Sequence, residues 1–372
     1  MRLFDTARRG VVPFRPGPVA TMYTCGITPY DAAHVGHAAT YLAYDVLQRR
    51  LLDLGHESRC VRNVTDVDDD ILRRARQLGV HYLDLAAEEM GRFDANMDAL
   101  GLLPAYSEPR ATSAIPDILG FIGRVLESGN AYRAGGAVYF DVSSYPRFGQ
   151  LSGLPRDEML VVAAERGGHP EDPNKRDPLD FVLWQPSGPD EPSWDSRWGP
   201  GRPGWHIECS ALALRELGTT IDLHGGGTDL VFPHHECEAA QSEAATGQPF
   251  VRHWMHVGMV RLGGEKMSKS LGNLVFVSDL LKDWEPAAVR LAILSQHYRS
   301  SWEWTEELMK MAAARLERWR RAGPGDAGLD EVRAALDDDL DTPRALVAVD
   351  AAVAAGGGVS RAAALLGVDP SP

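Results

Sequence analysis

Apolar positions in the first third of the chain fall into short runs alternating with helical spacings. Val19, Ala20, Met22 and Tyr23 read as a buried strand. After it, Tyr44, Leu47, Leu51 and Leu54 recur at i, i+3, i+7 and i+10, the spacing of a helix over Ala38 to Leu54. Arg59 to Val64 is a second strand candidate. Thr65-Asp66-Val67-Asp68 can then cap a helix carrying Ile71, Leu72, Ala75 and Leu78 and ending at Gly79. A further amphipathic helix runs from Leu83 to Leu100. Strands alternating with helices predict an α/β fold with a parallel, doubly wound sheet.

The pattern breaks after residue 110. A helix over Ile115 to Leu126 precedes a β-like Ala137-Val138-Tyr139-Phe140, and Ser143 to Arg202 is rich in Gly, Pro and charge. Trp184, Trp194, Trp198 and Trp205 argue against a disordered linker, so this stretch is expected to be an insertion with long loops. Alternation resumes with a helix over Glu208 to Leu217, a strand over Thr220 to Leu223, a turn at Gly225-Gly226-Gly227 and a helix starting near Pro233. Residues from about 285 to 366 read as Ala-rich, acidic helices. The expected division is 1–110 and 203–260 for the two halves of a catalytic domain, 111–202 for the insertion, 261–310 for a lysine-bearing segment and 311–372 for a helical C-terminal region.

Composition narrows the function classes. The chain has 372 residues, 44% of them apolar, and a formal charge of −14, which disfavours non-specific polyanion binding. No run of about 18 apolar residues and no secretory leader is recognised, so a cytoplasmic protein without a membrane span is expected. Four cysteines (Cys25, Cys60, Cys209, Cys237) are too few for a disulfide framework in so long a chain and better suit metal binding or catalysis. Only five residues are lysine, and two of them, Lys266 and Lys269, lie three positions apart.

Those counts direct attention to particular groups. Thr24 to His37 joins the first strand to the first helix, where open α/β sheets bind ligands and a helix start offers N–H groups to phosphate. His34 and His37, at i and i+3, share a helix face and can donate to a polyphosphate; a cap and a core histidine is the alternative. Lys266 and Lys269, among serines and glycines, form a cationic loop suited to a departing pyrophosphate, or else a solvated turn. Cys25, Cys209, His234 and Glu238 are candidate zinc ligands, with His235 and Cys237 as reserves; buried structural thiols are the competing reading, applied to Cys60. Gly227-Thr228-Asp229 follows a strand as adenosine-binding turns do, and Trp205 and His206 precede Cys209.

With these residues in view, the chain resembles the class I cysteinyl-tRNA synthetases and their close relatives, the ATP-dependent cysteine ligases of mycothiol biosynthesis. His34-Val35-Gly36-His37 matches the "HIGH" signature and Lys266-Met267-Ser268-Lys269-Ser270 the "KMSKS" signature. Arg62 to Asp69, Pro203 to Ser210 and His224 to Glu236 are similarly close, and the likeness runs from about residue 20 to 350. It implies a Rossmann-like (HUP) catalytic domain, one zinc at Cys25, Cys209 and His234, and ATP with Mg²⁺ over His34, His37, Lys266 and Lys269. A glutamate matching Glu238 lies near the metal in the synthetases, whereas substrate sulfur can complete the shell in the ligases. Cys25, Gly26, Ile27, Thr28, Thr40, Asn63, Val64, Thr65, Trp205, Gly227, Thr228, Asp229, Val260 and Lys269 would surround a cysteinyl adenylate, with Asp229 also a catalytic candidate.

Departures from the synthetase pattern favour the ligases. The turn reads Ile27-Thr28-Pro29-Tyr30 where synthetases have Pro-Thr-Val-Tyr, and Ala38-Ala39-Thr40 replaces Ala-Arg-Thr. Glu165-Arg166-Gly167-Gly168-His169-Pro170 is similar to a ligase motif, with His169 where that motif has Asp. No anticodon-binding region is recognised beyond Leu340-Asp341-Thr342-Pro343. The expected reaction joins L-cysteine to the amine of glucosaminyl-inositol (GlcN-Ins), releasing AMP and pyrophosphate, in a monomer with no tRNA partner. A short cysteinyl-tRNA synthetase and an inactive binding module are the alternatives.

Overall fold

The computed structural model describes residues 1–267 and 272–370. It opens with a hairpin, β1 (Arg2–Asp5) and β2 (Gly10–Pro13), whose four-residue strands are too short for a periodic signal. Next come β3 (Val19–Ile27), α1 (Val35–Asp53), β4 (Glu57–Val64), α2 (Asp69–Leu78) and α3 (Tyr82–Ala99). Helix α1 starts three residues before the apolar spacing predicts because His34 caps it, accepting from Gly36 N. Asp68 caps α2 through Ile71 N at 2.9 Å, and Gly79 closes it at φ 68°, a conformation glycine adopts at low cost.

Helix α4 (Ile115–Glu127) leads into β5 (Ala131–Ala134), β6 (Ala137–Phe140), α5 (Arg156–Glu165), β7 (Phe181–Gln185) and β8 (Arg202–Pro203). The four strands form one antiparallel sheet in that order. The stretch expected as long loops therefore holds a helix and two strands. Trp184 and Phe140, both fully buried, anchor its core, but the apolar residues are too interrupted by Pro and Gly to show a period.

Then follow α6 (Trp205–Leu217), β9 (Leu223–Gly227), α7 (Glu236–Thr246) and β10 (Trp254–Val257). Strand β9 departs from expectation: the three glycines are strand, not turn. Gly225 sits between β3 and β10, and a Cβ there would lie 1.7 Å from the Met255 carbonyl oxygen, so only bare backbone fits. The helix expected from Pro233 begins only at Glu236; residues 231–235 form an irregular turn. Strands β11 (Val260–Leu262), β12 (Glu265–Lys266) and β13 (Trp302–Glu303) make a small sheet interleaved with α8 (Val277–Asp283) and α9 (Pro286–Leu294). Helices α10 (Glu306–Ala322), α11 (Leu329–Leu336), α12 (Thr342–Ala354) and α13 (Ser360–Leu365) finish the described chain.

The central sheet runs β10-β9-β3-β4, all parallel. From β3 the chain moves outward one way to β4, then returns to lay β9 and β10 on the other side. The carboxyl ends of β3 and β9 therefore flank the switch point, where such sheets open a ligand crevice. Beneath it, Leu42, Leu47 and Leu51 of α1 are fully buried. Arg290 of α9 locks that helix from below, pairing with the buried Asp45 and donating to the carbonyls of Leu366 (2.7 Å) and Leu100 (3.0 Å).

Candidate functional site

Cys25 and Gly26 stand near the end of β3, and the backbone approaches β4 closely there. Gly26 N donates to Asn63 Oδ1 at 2.8 Å, and a Cβ on Gly26 would fall 1.5 Å from the Asn63 carbonyl oxygen. Asn63 Nδ2 in turn donates to Thr65 Oγ1 at 3.1 Å, and Thr65 N to the Ile27 carbonyl at 3.0 Å. Thr28 Oγ1 donates to Asp68 Oδ2 at 3.0 Å. The turn is thus clamped on β4 before the chain reaches α1. Val64 and Val260 belong to the buried core.

Cys25 also joins the turn to a buried cluster, called the floor. The donor atoms of Cys25, Cys209, His234 and Glu238 all lie within 4.8 Å of one another, and all four residues are buried. Each comes from a different place: β3, α6, the irregular turn and α7. His234 Nε2 is 3.7 Å from Glu238 Oε1 although His234 precedes the helix. A second set, Cys25, His224, His235 and Glu238, shares two members with the first. His224 hydrogen-bonds the Tyr23 carbonyl through Nδ1 (2.8 Å) and Glu238 Oε2 through Nε2 (2.9 Å). His235 Nδ1 is bonded to His256 Nε2 at 2.7 Å, and His256 Nδ1 to Thr6 Oγ1 at 2.7 Å. His206 Nδ1 lies 2.9 Å from His234 Nδ1, and the Trp205 ring 4.3 Å from the His234 ring.

Burial pushes the Cys25 and Cys209 thiols and the Glu238 carboxyl up, the two thiols also acting on each other, and holds His206 and His256 down to about 3. Without a cation, burial thus disfavours the charged form of both thiols, of the Glu238 carboxyl and of His206, His234, His235 and His256. Such a set suits a soft divalent ion, which would convert thiols to thiolates and occupy Glu238 Oε1, a buried oxygen without a hydrogen-bond partner among the described residues. The set with both sulfurs is the better zinc site; the imidazoles of the other are already held by Tyr23 and His256.

The second group, called the rim, gathers the start of α1 and the end of β9. His34 accepts from Gly36 N through Nδ1 (3.1 Å), His37 Nδ1 accepts from His34 N (3.4 Å), and the rings stack at 3.8 Å. Accepting at Nδ1 leaves the proton of a neutral ring on Nε2, the donor form a phosphate oxygen needs. Thr40 Oγ1 donates to the Gly36 carbonyl one turn on, at 3.1 Å. The segment after the lysine loop docks on this helix start: Val35 N donates to the Val275 carbonyl (2.9 Å) and Val277 N to that of Ala33 (3.0 Å). Lys266 Nζ pairs with Asp229 Oδ2 at 3.1 Å; Asp229 lies just past Gly227 and Thr228 at the end of β9. Arg166, from the end of α5, reaches the same oxygen at 3.7 Å. Lys269 lies outside the described residues.

Cys60 and Cys237 belong to neither donor set among the described residues. His224 and His256 are site residues the sequence reading did not single out. Their signal was a lone histidine inside a strand that is otherwise glycine or apolar.

A parallel sheet with a histidine-capped helix at its switch point and a lysine strand folded over it defines a class I synthetase-type nucleotide-binding protein. Residues 12–314 match the family described as tRNA synthetases class I (C) catalytic domain. A protein of Saccharomonospora viridis named L-cysteine:1D-myo-inositol 2-amino-2-deoxy-alpha-D-glucopyranoside ligase is 53% identical, covering 94% of this chain and 88% of its own length. A Parafrankia protein of the same name is 50% identical over 100% of this chain and 89% of its own. Among solved structures, Mycobacterium tuberculosis methionyl-tRNA synthetase in complex with methionyl-adenylate superposes with TM-score 0.68 over 89% of this chain and 82% of its own, at 17% identity, a likeness of fold. The chain belongs to the class I (C) synthetase family, alongside these cysteine ligases.

Proposed function

We propose that the chain is an ATP-dependent, AMP-forming ligase that joins the carboxyl group of L-cysteine to the amine of glucosaminyl-inositol, the carbon–nitrogen ligation of mycothiol biosynthesis. The observation that carries this reading is the contiguity of two chemistries along one turn. Cys25 opens it in a two-sulfur donor set and His34 closes it at a phosphate-ready helix start. The relatives at 53% and 50% identity supply the acceptor.

In the first step a carboxylate oxygen of cysteine attacks the α-phosphorus of ATP and the bond to the bridging oxygen breaks. Pyrophosphate leaves with the charge, which His34, His37, Lys266 and Lys269 neutralise. Cys25, Cys209 and His234, with Glu238 as the fourth candidate, would hold zinc, which would supply a Lewis acid able to favour a substrate thiolate over the hydroxyl of serine. Gly26 to Thr28, Thr40, Asn63 to Thr65, Trp205, Gly227 to Asp229 and Val260 surround the cysteinyl adenylate. In the second step the neutral amine attacks the adenylate carbonyl carbon, the carbon–nitrogen bond forms as the bond from that carbon to the phosphate oxygen breaks, AMP departs and the nitrogen gives up one proton to water.

We divide the chain for this task at 110, 202, 260 and 310. The protein is read as a cytoplasmic monomer. Four free buried cysteines support a reducing compartment, and no helix among the described residues is long and apolar enough to cross a membrane. The deciding experiment follows AMP release from ATP and cysteine with either acceptor added. Turnover with glucosaminyl-inositol is expected, and turnover with tRNA alone would sink the assignment.

A further inference from the structure

The hairpin β1–β2 lies outside the central sheet, yet its turn is tied to β10, the edge strand of that sheet. Thr6 opens the turn, and its N–H donates to the Trp254 carbonyl at 2.9 Å. His253 Nε2 meets the Phe4 carbonyl at 3.1 Å, and the buried Asp5 accepts from Arg8 N at 3.1 Å. These bonds fix where the Thr6 hydroxyl stands.

From that hydroxyl a chain of hydrogen bonds runs inward to a sulfur of the donor set. Thr6 Oγ1 lies 2.7 Å from His256 Nδ1, His256 Nε2 2.7 Å from His235 Nδ1, and His235 Nε2 3.3 Å from Cys25 Sγ. Each ring uses both of its nitrogens. Both rings and Cys25 are buried, and the Trp254 ring stands 5.5 Å from that of His235 and 6.2 Å from that of His256. Glu238 does not displace Cys25 as the partner of His235. Its Oε2 is 3.8 Å from Nε2, beyond hydrogen-bond reach, and already meets His224 at 2.9 Å.

Such a chain has a direction. A neutral imidazole gives one hydrogen bond and takes one, so the polarity at one end fixes the polarity at the other. Run outward from Cys25, the chain needs the thiol hydrogen as its source. A sulfur that holds a metal ion has no hydrogen to give and can only accept. The chain must then start at Thr6, the group at its far end that can give a hydrogen. The Thr6 hydroxyl donates to His256 Nδ1, His256 Nε2–H to His235 Nδ1, and His235 Nε2–H to Cys25 Sγ.

We infer that Thr6 is a positioning residue of the metal site: its hydroxyl fixes His256 and His235 as Nε2–H tautomers and so aims an N–H at the Cys25 sulfur. A partner behind a ligand atom holds that atom in place and tunes how much charge it gives the metal. The inference rests on the zinc assignment within the proposed function, and it holds for either acceptor.

The test uses full-length protein and two substitutions that separate hydroxyl from shape. Thr6→Val keeps the shape and loses the hydroxyl, whereas Thr6→Ser keeps the hydroxyl and loses the methyl group. Zinc affinity, measured by competition with a chromophoric chelator, should fall about tenfold or more in Thr6→Val and stay near the wild-type value in Thr6→Ser. Nitrogen NMR of the zinc-loaded, histidine-labelled wild-type protein should place the ring proton of His235 and of His256 on Nε2. Equal affinities of the wild-type and Thr6→Val proteins overturn the inference. A loss in Thr6→Ser as large as in Thr6→Val does so too, since the role would then be one of packing. A proton on Nδ1 of His235 also overturns it and moves the ion to the second donor set, where His235 Nε2 would be a ligand. Should Thr6→Val not fold, the tautomers of the wild-type protein decide alone. Failure of the zinc assignment shows up separately, as wild-type protein that takes up no zinc, and the inference falls with it.

Discussion

Floor and rim are built on opposite principles. On the floor, Cys25, Cys209, His234 and Glu238 are at most 6% exposed and backed by hydrogen-bonded imidazoles that reach as far as Thr6. On the rim, Lys266 is 40% and Asp229 27% exposed, and the further partner of Asp229, Arg166, is part-exposed as well. A buried donor set can discriminate by chemistry, because its geometry is fixed before substrate arrives. An exposed one works by charge that rearranges during the reaction, which screening permits. In the function proposed above, cysteine recognition falls to the buried half and pyrophosphate departure to the exposed half.

The hardest blow to that contrast is Cys209→Ala. It removes one sulfur from the donor set and should cost several kcal/mol, on the order of 10³-fold in cysteine-dependent pyrophosphate exchange. Zinc measured by emission spectroscopy should fall with it. Zinc at full occupancy in an inactive variant would show that the floor does not hold the metal.

The rigidity itself is testable beneath the floor. Asp45 and Arg290, both about 1% exposed, join α1 to α9, so Asp45→Ala leaves a buried guanidinium unpaired and should destabilise the fold by about 3–5 kcal/mol in urea titrations. Burial works to raise the Asp45 pKa, but Arg290 and Arg49 outweigh it and hold it below the usual value. The sign follows: this contribution is complete above the unfolded value near 4 and is lost as pH falls through the lower folded value. Wild-type stability should therefore drop below about pH 4 more steeply than that of the variant.

At the rim, Lys266→Ala should lower kcat about 100-fold, the usual cost of one transition-state cation, while leaving zinc content intact. A fall in zinc would mean that floor and rim are one unit.

How much of this was legible differs between the two halves. The rim was written locally: His34 and His37 lie three residues apart, and Lys266 belongs to one short polar run. Cys25, Cys209 and His234 could be nominated, but what assembles them is a sheet order that brings β3 beside β9. The supporting histidines were illegible for the same reason. His256 is a single polar residue in the buried strand Trp254–Val257, and its partners, His235 and Thr6, are 21 and 250 residues away. Gly225 to Gly227 misled, because glycine marks close backbone approach as readily as it marks a turn.

The smallest expected effect is the most diagnostic of rim design. Arg166 extends from the inserted helix α5 to within 3.7 Å of Asp229 Oδ2, the oxygen that Lys266 also engages at 3.1 Å. If Lys266 leaves Asp229 to meet pyrophosphate, Arg166 remains to hold that carboxylate in place. The pair is part-exposed, so its worth is at most about 1 kcal/mol, and Arg166→Gln should change kcat less than about fivefold at low salt. Raising ionic strength should shrink the difference further, since screening weakens the wild-type pair and leaves glutamine indifferent. A loss as large as that of Lys266→Ala, unaffected by salt, would move Arg166 from the adaptable rim to the fixed machinery.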